Sequence, residues 1–343
     1  MSESFVTIKP TLEDYWRGII LRGMNNASYK FALAKSLLEM APQSGQLIKL
    51  GDIAPVFARN IAEHLKSSDK QSATSKTNYG TFLNKCRDYN SGLVSDNELI
   101  DATIKDGFTE VIKRFHVVGR GDIPERFYID EVKTNNGIRI TNEFSELLDG
   151  KQIDNLPLEV EARWKLVETA WELNISSNLI AIEHDTDTEL FFVNKANRRK
   201  IVTSSRDALN GYQKGVCFYC FSNIYINTKG AKQPEVDHFF PDVLKHQGIK
   251  GINGIWNLVL ACQDCNRGVG GKFDAIPTIK LLERLHRRNE FLISSHHPLR
   301  ETLIRQTGRS EQQRKSFLNE FHIKSYKWQL NTWDAKEVRE PLF

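Results

Sequence analysis

Four of the five cysteines in this 343-residue chain fall into two C-x-x-C pairs, Cys217/Cys220 and Cys262/Cys265, while Cys86 stands alone. Each short pair can turn two sulfurs toward one ion, so together they supply the four thiolates of a tetrahedral structural Zn2+ site. The gap between the pairs exceeds the ~15–20 residues of a simple zinc ribbon, so a sizeable segment lies between the two knuckles. That insert carries Glu235-Val236-Asp237-His238-Phe239-Phe240-Pro241, then Gly254-Ile255-Trp256-Asn257-Leu258-Val259-Leu260-Ala261, which runs into Cys262-Gln263-Asp264-Cys265-Asn266-Arg267-Gly268. On an extended chain Asp237 and His238 point to opposite faces, one able to hold a cation and the other to face a water. Arg267 and Lys272 flank Gly268-Val269-Gly270-Gly271, where bare backbone can approach a ligand, and both are candidates to grip a phosphate. The competing reading is a zinc ribbon that binds nucleic acid without cutting it, with His238 a satisfied core histidine and Arg267 and Lys272 solvated.

In order, D-H-x-x-P followed by N-L-V-x-x-C-x-x-C-N-R-x-x-G over roughly residues 205–275 resembles the HNH endonucleases that carry two zinc knuckles, the McrA-like restriction nucleases among them. The resemblance implies a ββα-metal fold, a β-hairpin and a helix with one catalytic metal between them. It implies Asp237 as a metal ligand, His238 as the general base, Asn257 as the brace that orients the base, and Asn266 as the second metal ligand, where many members have histidine. A carboxylate and an amide oxygen are hard donors, which favours Mg2+ or Mn2+. The implied reaction is hydrolysis of DNA, with RNA left open, to 5′-phosphate and 3′-hydroxyl ends. A setting in restriction or antiviral defence is implied in the same way.

Trp16, Ile19, Ile20 and Met24, then Tyr29 to Leu38, then Ile53 to Ile61 recur at helical spacing. Ser68 to Asn78 reads as a polar connection. Ser95-x-x-Glu98 is a capping-box candidate for a helix carrying Leu99, Ile104, Phe108 and Ile112. Phe127-Tyr128-Ile129 and Ile138-Arg139-Ile140 around Asn135-Asn136-Gly137 suggest a hairpin, and helices followed by a hairpin are compatible with a winged-helix DNA reader. A helix near 160–173 and strands near 179–182 and 190–193 follow, and residues 194–200 are the boundary candidate. Beyond it, 204–212 reads as helix and Ile224-Tyr225-Ile226 as strand. Helices are expected after Pro277, with Lys280, Arg284, Arg287 and Arg288 on a polar face, and over 311–321. His296-His297 reads as surface or a helix end. The expected fold is α+β: a mainly helical recognition, regulatory or partner-binding domain with a hairpin over 1–195, and a zinc-bound nuclease domain with trailing helices over 196–343.

Charge divides along the same line. Residues 1–194 hold 22 Lys and Arg against 29 Asp and Glu, and residues 195–343 hold 25 against 14. Phosphate repulsion is therefore least in the C-terminal half, and the acidic half suits a protein partner, such as an ATPase, that would switch cleavage on. A homodimer would place two one-metal sites on a duplex. No stretch reaches the roughly 20 apolar residues of a membrane span, and Met1-Ser2-Glu3-Ser4 lacks the marks of a signal peptide, so a cytoplasmic protein is expected. The odd cysteine count argues for thiolate ligands over a disulfide framework.

Overall fold

Trp16, Ile19 and Ile20, spaced for one helical face, are all buried on α1 (Leu12–Arg22). The computed structural model describes residues 10–22, 27–73, 81–119, 121–172, 182–185, 190–195, 198–226, 233–294, 299–328 and 331–339. One compact unit spans Thr11–Ser177 and a second takes the chain from Asn178 onward.

In the first unit α1 is followed by α2 (Tyr29–Met40), β1 (Leu47–Lys49), α3 (Leu50–Ser67), α4 (Thr81–Asn90), α5 (Asp96–Ala102), α6 (Val111–Arg114), β2 (Val117–Val118), β3 (Gly121–Asp122), β4 (Tyr128–Glu131), α7 (Val132–Asn135), β5 (Gly137–Ile140), α8 (Asn142–Leu148) and α9 (Leu156–Glu172). The capping box forms: Ser95 Oγ accepts the Glu98 N–H, and Glu98 Oε2 accepts the Ser95 N–H at 2.9 Å. The single helix expected beyond it is instead interrupted by a π-turn at Thr103–Gly107, although Leu99, Phe108 and Ile112 still reach the core. The hairpin is present, with Tyr128 opposite Ile140, but its turn is α7, with Asn136 in the left-handed region at φ 50°. Gly137 serves a different need. A Cβ there would lie 2.2 Å from the Ile48 carbonyl oxygen, because β1 packs against β5 in the order β1-β5-β4.

Two histidines in this unit are tuned in opposite senses. His64 lies flat on Trp164 at 3.5 Å, with Glu168 on Nδ1 at 2.8 Å and Glu161 on Nε2 at 3.2 Å. Burial pulls its pKa down, but the two carboxylates outweigh that and raise it. His116 is fully buried, and its Nε2 accepts the Phe127 N–H at 3.0 Å. Burial, with Arg126 and Lys30 adding to it, pushes its pKa down to about 3. The unfolded chain binds that proton near pH 6.5, so stability present above that pH is lost as pH falls toward 3, at about 1.4 kcal/mol per unit. His116→Phe should remove this slope. The check is denaturant unfolding of both proteins between pH 7 and pH 4; a wild-type-minus-variant difference that does not change with pH would contradict it.

The second unit begins, among the described residues, with a three-stranded antiparallel sheet, β6 (Glu183–Asp185), β7 (Leu190–Lys195) and β8 (Arg198–Ser204). β7 and β8 pair across residue 195, so the strands before it belong with the C-terminal unit. The strand expected at 179–182 and His296-His297 fall mostly or wholly outside the described residues. Then come α10 (Ser205–Tyr212), capped by Ser204 Oγ, β9 (Glu235–His238), β10 (Leu258–Ala261), α11 (Gln263–Arg267), β11 (Ile276–Pro277), α12 (Ile279–Ser294), α13 (Arg300–Thr307), α14 (Glu311–Tyr326) and β12 (Thr332–Trp333). Ile224 and Ile226 are buried but form no strand; Asn223 bridges back to Val216, and the Ile224 N–H donates to Gly215 O at 2.9 Å. The whole is a mixed helix-and-sheet chain, and no helix among the described residues is long and apolar enough to cross a membrane.

Candidate metal centre and the groups around it

The first knuckle is a tight turn: the Cys217 N–H donates to Ser222 O at 2.8 Å and the Phe221 N–H to Cys217 O at 3.1 Å. The second starts where β10 ends, with the Cys262 N–H 3.3 Å from Cys217 Sγ. All four sulfurs lie within 4.8 Å of one another. Cys220 and Cys262 are 3.8 Å apart, the edge of a tetrahedron built on Zn–S bonds of about 2.3 Å. The four cysteines are thus close enough to bind a metal such as zinc. Their protons divide two and two. Hydrogen bonding, chiefly with Cys217, pushes the thiols of Cys220 and Cys262 down, Cys262 to about 7; burial pushes Cys217 up, and sulfur neighbours push Cys265 up. Four thiolates this close need a cation among them. Cys86, by contrast, is buried in the first unit with its thiol pushed up to about 12 by burial, as suits a packing residue.

β9 and β10 pair antiparallel with His238 opposite Leu258 and Asp237 opposite Val259, and α11 follows at once. The hairpin-then-helix order therefore holds, with a helix of only five residues that carries Asn266 near its end. Asn257 is fully buried and closes the loop between the strands. Its Oδ1 accepts the Phe240 N–H at 2.8 Å, and its Nδ2 donates to Phe240 O at 3.0 Å and Ile252 O at 2.9 Å.

Asp237 is buried. Tyr219 donates its hydroxyl to Oδ2 at 2.5 Å, and Lys272 Nζ lies 3.3 Å from Oδ1. Burial raises the Asp237 carboxyl, opposed by the Lys272 charge and the Tyr219 bond. His238 is half-buried, and its Nε2 has no hydrogen-bond partner among the described residues. Burial pushes its pKa down against the pull of Asp242, so the imidazole is neutral at pH 7. Asn266 donates through Nδ2 to Glu235 at 2.7 Å, and the exposed Arg267 pairs with the same carboxylate.

Lys272 departs from the expected surface grip on phosphate. It is 1% exposed and donates to His238 O and Phe273 O, both at 3.0 Å. An ammonium out of water must be paired, and here Asp237 and the two carbonyls do it. Arg284 and Arg288, expected on the polar face of α12, are likewise each 1% exposed. Arg284 donates to the carbonyls of Phe218 and Tyr219 at 2.8 and 2.7 Å, Arg288 to those of Leu258 and Trp256 at 2.7 and 3.0 Å. One helix therefore holds both the first knuckle and the hairpin.

Sequence reading missed several of these supports. Gln213 acts as a false strand, accepting the Leu260 N–H at 2.7 Å and donating to Leu260 O at 2.7 Å. Glu235 could have been found from its i, i+2 spacing to Asp237, which puts both on one strand face. Residues 332–338 close the site from far along the chain: Trp333 Nε1 donates to Gly270 O at 2.8 Å, Val338 N–H donates to Cys220 O at 2.9 Å, and Glu337 pairs with Arg284 and Lys280. No protein-family model, curated protein or solved structure matches the chain.

Proposed function

We propose that this chain is a metal-dependent endonuclease of the HNH type, cleaving DNA phosphodiester bonds to 5′-phosphate and 3′-hydroxyl ends. The observation that carries the reading is a β9–β10 hairpin ending in Asp237 and His238, its loop closed by Asn257, followed by α11, whose Asn266 is tied back to β9 through Glu235, beside a four-cysteine cluster. In this reading zinc at the cysteines would be structural, and the hard oxygens of Asp237 and Asn266 would hold Mg2+ or Mn2+. That ion, when bound, stabilises charge on the phosphate and the leaving oxygen.

The chain's own groups supply the rest. His238, neutral and with an unpartnered Nε2, takes the proton of the attacking water. Lys272 holds the His238 carbonyl and balances Asp237, which fixes the base against the metal ligand. Tyr219 orients the Asp237 carboxylate. Restriction or defence against foreign DNA is the setting this chemistry suits.

Supercoiled plasmid and single-stranded DNA, each incubated with purified protein in Mg2+, Mn2+ or neither, test the reading. Nicking that requires the added metal, with 5′-phosphate ends on the product, is the expected result. DNA bound but uncut in both metals would leave a zinc-stabilised binding module.

A further inference from the structure

We propose that an open cleft beside His238 seats the DNA backbone, and that His184, from outside the hairpin and helix, binds the phosphate attacked there. The inference rests on the nuclease reading for its chemistry and on separate geometry for its location. A cleft of about 810 Å3 is lined by His184, Lys245, Lys250, Asn253, Trp256 and Gln306 among others, with no carboxylate among the described residues that line it. Asn253 also interacts with the His238 ring, so the cleft opens next to the proposed base.

His184 is brought there by β6, which pairs with β7 and is anchored where the Ile182 N–H donates to Thr302 Oγ1 at 2.7 Å. Its ring centre is 6.4 Å from that of His238. Two imidazoles at that spacing are too far apart to bond each other, yet close enough for each to reach its own oxygen of one phosphate and its attacking water at hydrogen-bond lengths of about 2.8 Å. A phosphate with its attacking water offers such oxygens: the water gives its proton to His238, and His184 donates an N–H to a non-bridging oxygen.

The rest of the cleft suits a polyanion. Lys245 and Lys250 are exposed; Lys245 is steadied by Asp242 at 2.5 Å. Gly248 and Gly251 take left-handed φ values of 77° and 85°, so the loop turns tightly and leaves its backbone bare. Gln306 Oε1, under the cleft floor, is buried with no partner among the described residues.

The test uses the full chain and a fluorescent DNA 20-mer, single-stranded and duplex. Binding is read across a salt titration in the uncleaving His238→Ala background. Lys245→Ala with Lys250→Ala should weaken binding about tenfold and reduce the slope of log affinity against log salt by roughly 2, one for each phosphate that no longer has its lysine. In otherwise wild-type protein His184→Ala should lower kcat by about 10²-fold with KM nearly unchanged, and His184→Gln, which keeps an N–H donor, should recover part of it. Zinc content and melting temperature should stay at wild-type values. An unchanged salt slope with both DNAs, or full kcat in His184→Ala, overturns the proposal. If the wild-type protein binds but never cuts, the nuclease reading and the role of His184 fail together, while the salt slope still decides whether the cleft holds DNA.

Discussion

His238→Ala should lose plasmid cleavage by about 10²–10⁴-fold or more, the range for removal of a positioned general base, while zinc content, melting temperature and DNA affinity stay close to wild type. The selectivity follows from what His238 touches. Its side chain makes no bond to a cysteine, its Nε2 is unpartnered among the described residues, and the hydrogen bond that ties this position to Lys272 runs through the backbone carbonyl, which alanine retains. Asp237→Ala and Asn266→Ala should also be inactive, but part of the activity should return as Mg2+ or Mn2+ is raised, because these positions are assigned to the ion. Asp237→Ala should also lower the melting temperature, since it strands the buried Lys272 ammonium and the Tyr219 hydroxyl. Metal titrations of nicking, with melting curves beside them, separate the three. Cleavage at wild-type rate in His238→Ala with zinc bound would end the nuclease reading.

Cys217→Ser or Cys265→Ser should strip about one zinc per chain and unfold the C-terminal unit, leaving the first unit folded. A four-thiolate site can contribute on the order of 10 kcal/mol or more to folding. Here the knuckles also order the strands: the Phe218 N–H donates to Leu260 O at 3.0 Å, so loss of the first knuckle unpins β10 and, through it, β9. A strong chelator should reproduce the effect on wild-type protein, and zinc should reverse it. Metal analysis of fresh protein finding no zinc, or a C-terminal unit that melts unchanged after chelation, would overturn the expectation.

The cysteine cluster is legible in the sequence because it rests on local pattern, two short C-x-x-C loops; the hairpin around it and the place of Asn257 in its loop are reached only through the family resemblance, since β9 reads Glu-Val-Asp-His and carries no apolar run. The misreadings share a cause. Charge alone puts Lys272, Arg284 and Arg288 on the surface, yet backbone carbonyls buried by distant elements are strong enough acceptors to bring such groups inside. The break at Thr103–Gly107 is hidden because its apolar residues keep a helical period through the π-turn. Gly137 looks like a turn glycine and is instead a gap left for the β1 backbone, a fact set by a strand almost ninety positions earlier. Nothing local marks His184 either; only the path of β6 brings it near His238.

The closing segment at 332–338 has a bearing on the order of synthesis. Chains fold from the N-terminus as they emerge, so a nascent chain that has just exposed Asn266 owns every sulfur of the cluster and every proposed group of the hairpin and helix. It still lacks the strand that caps Gly270, the amide that holds Cys220 and the carboxylate that steadies Arg284. Metal can be captured early, but the finished site waits for these last elements. A ribosome-bound intermediate would therefore carry its ion before its hairpin is fully braced, and the proposed cutting activity would mature only once residues beyond 330 have emerged.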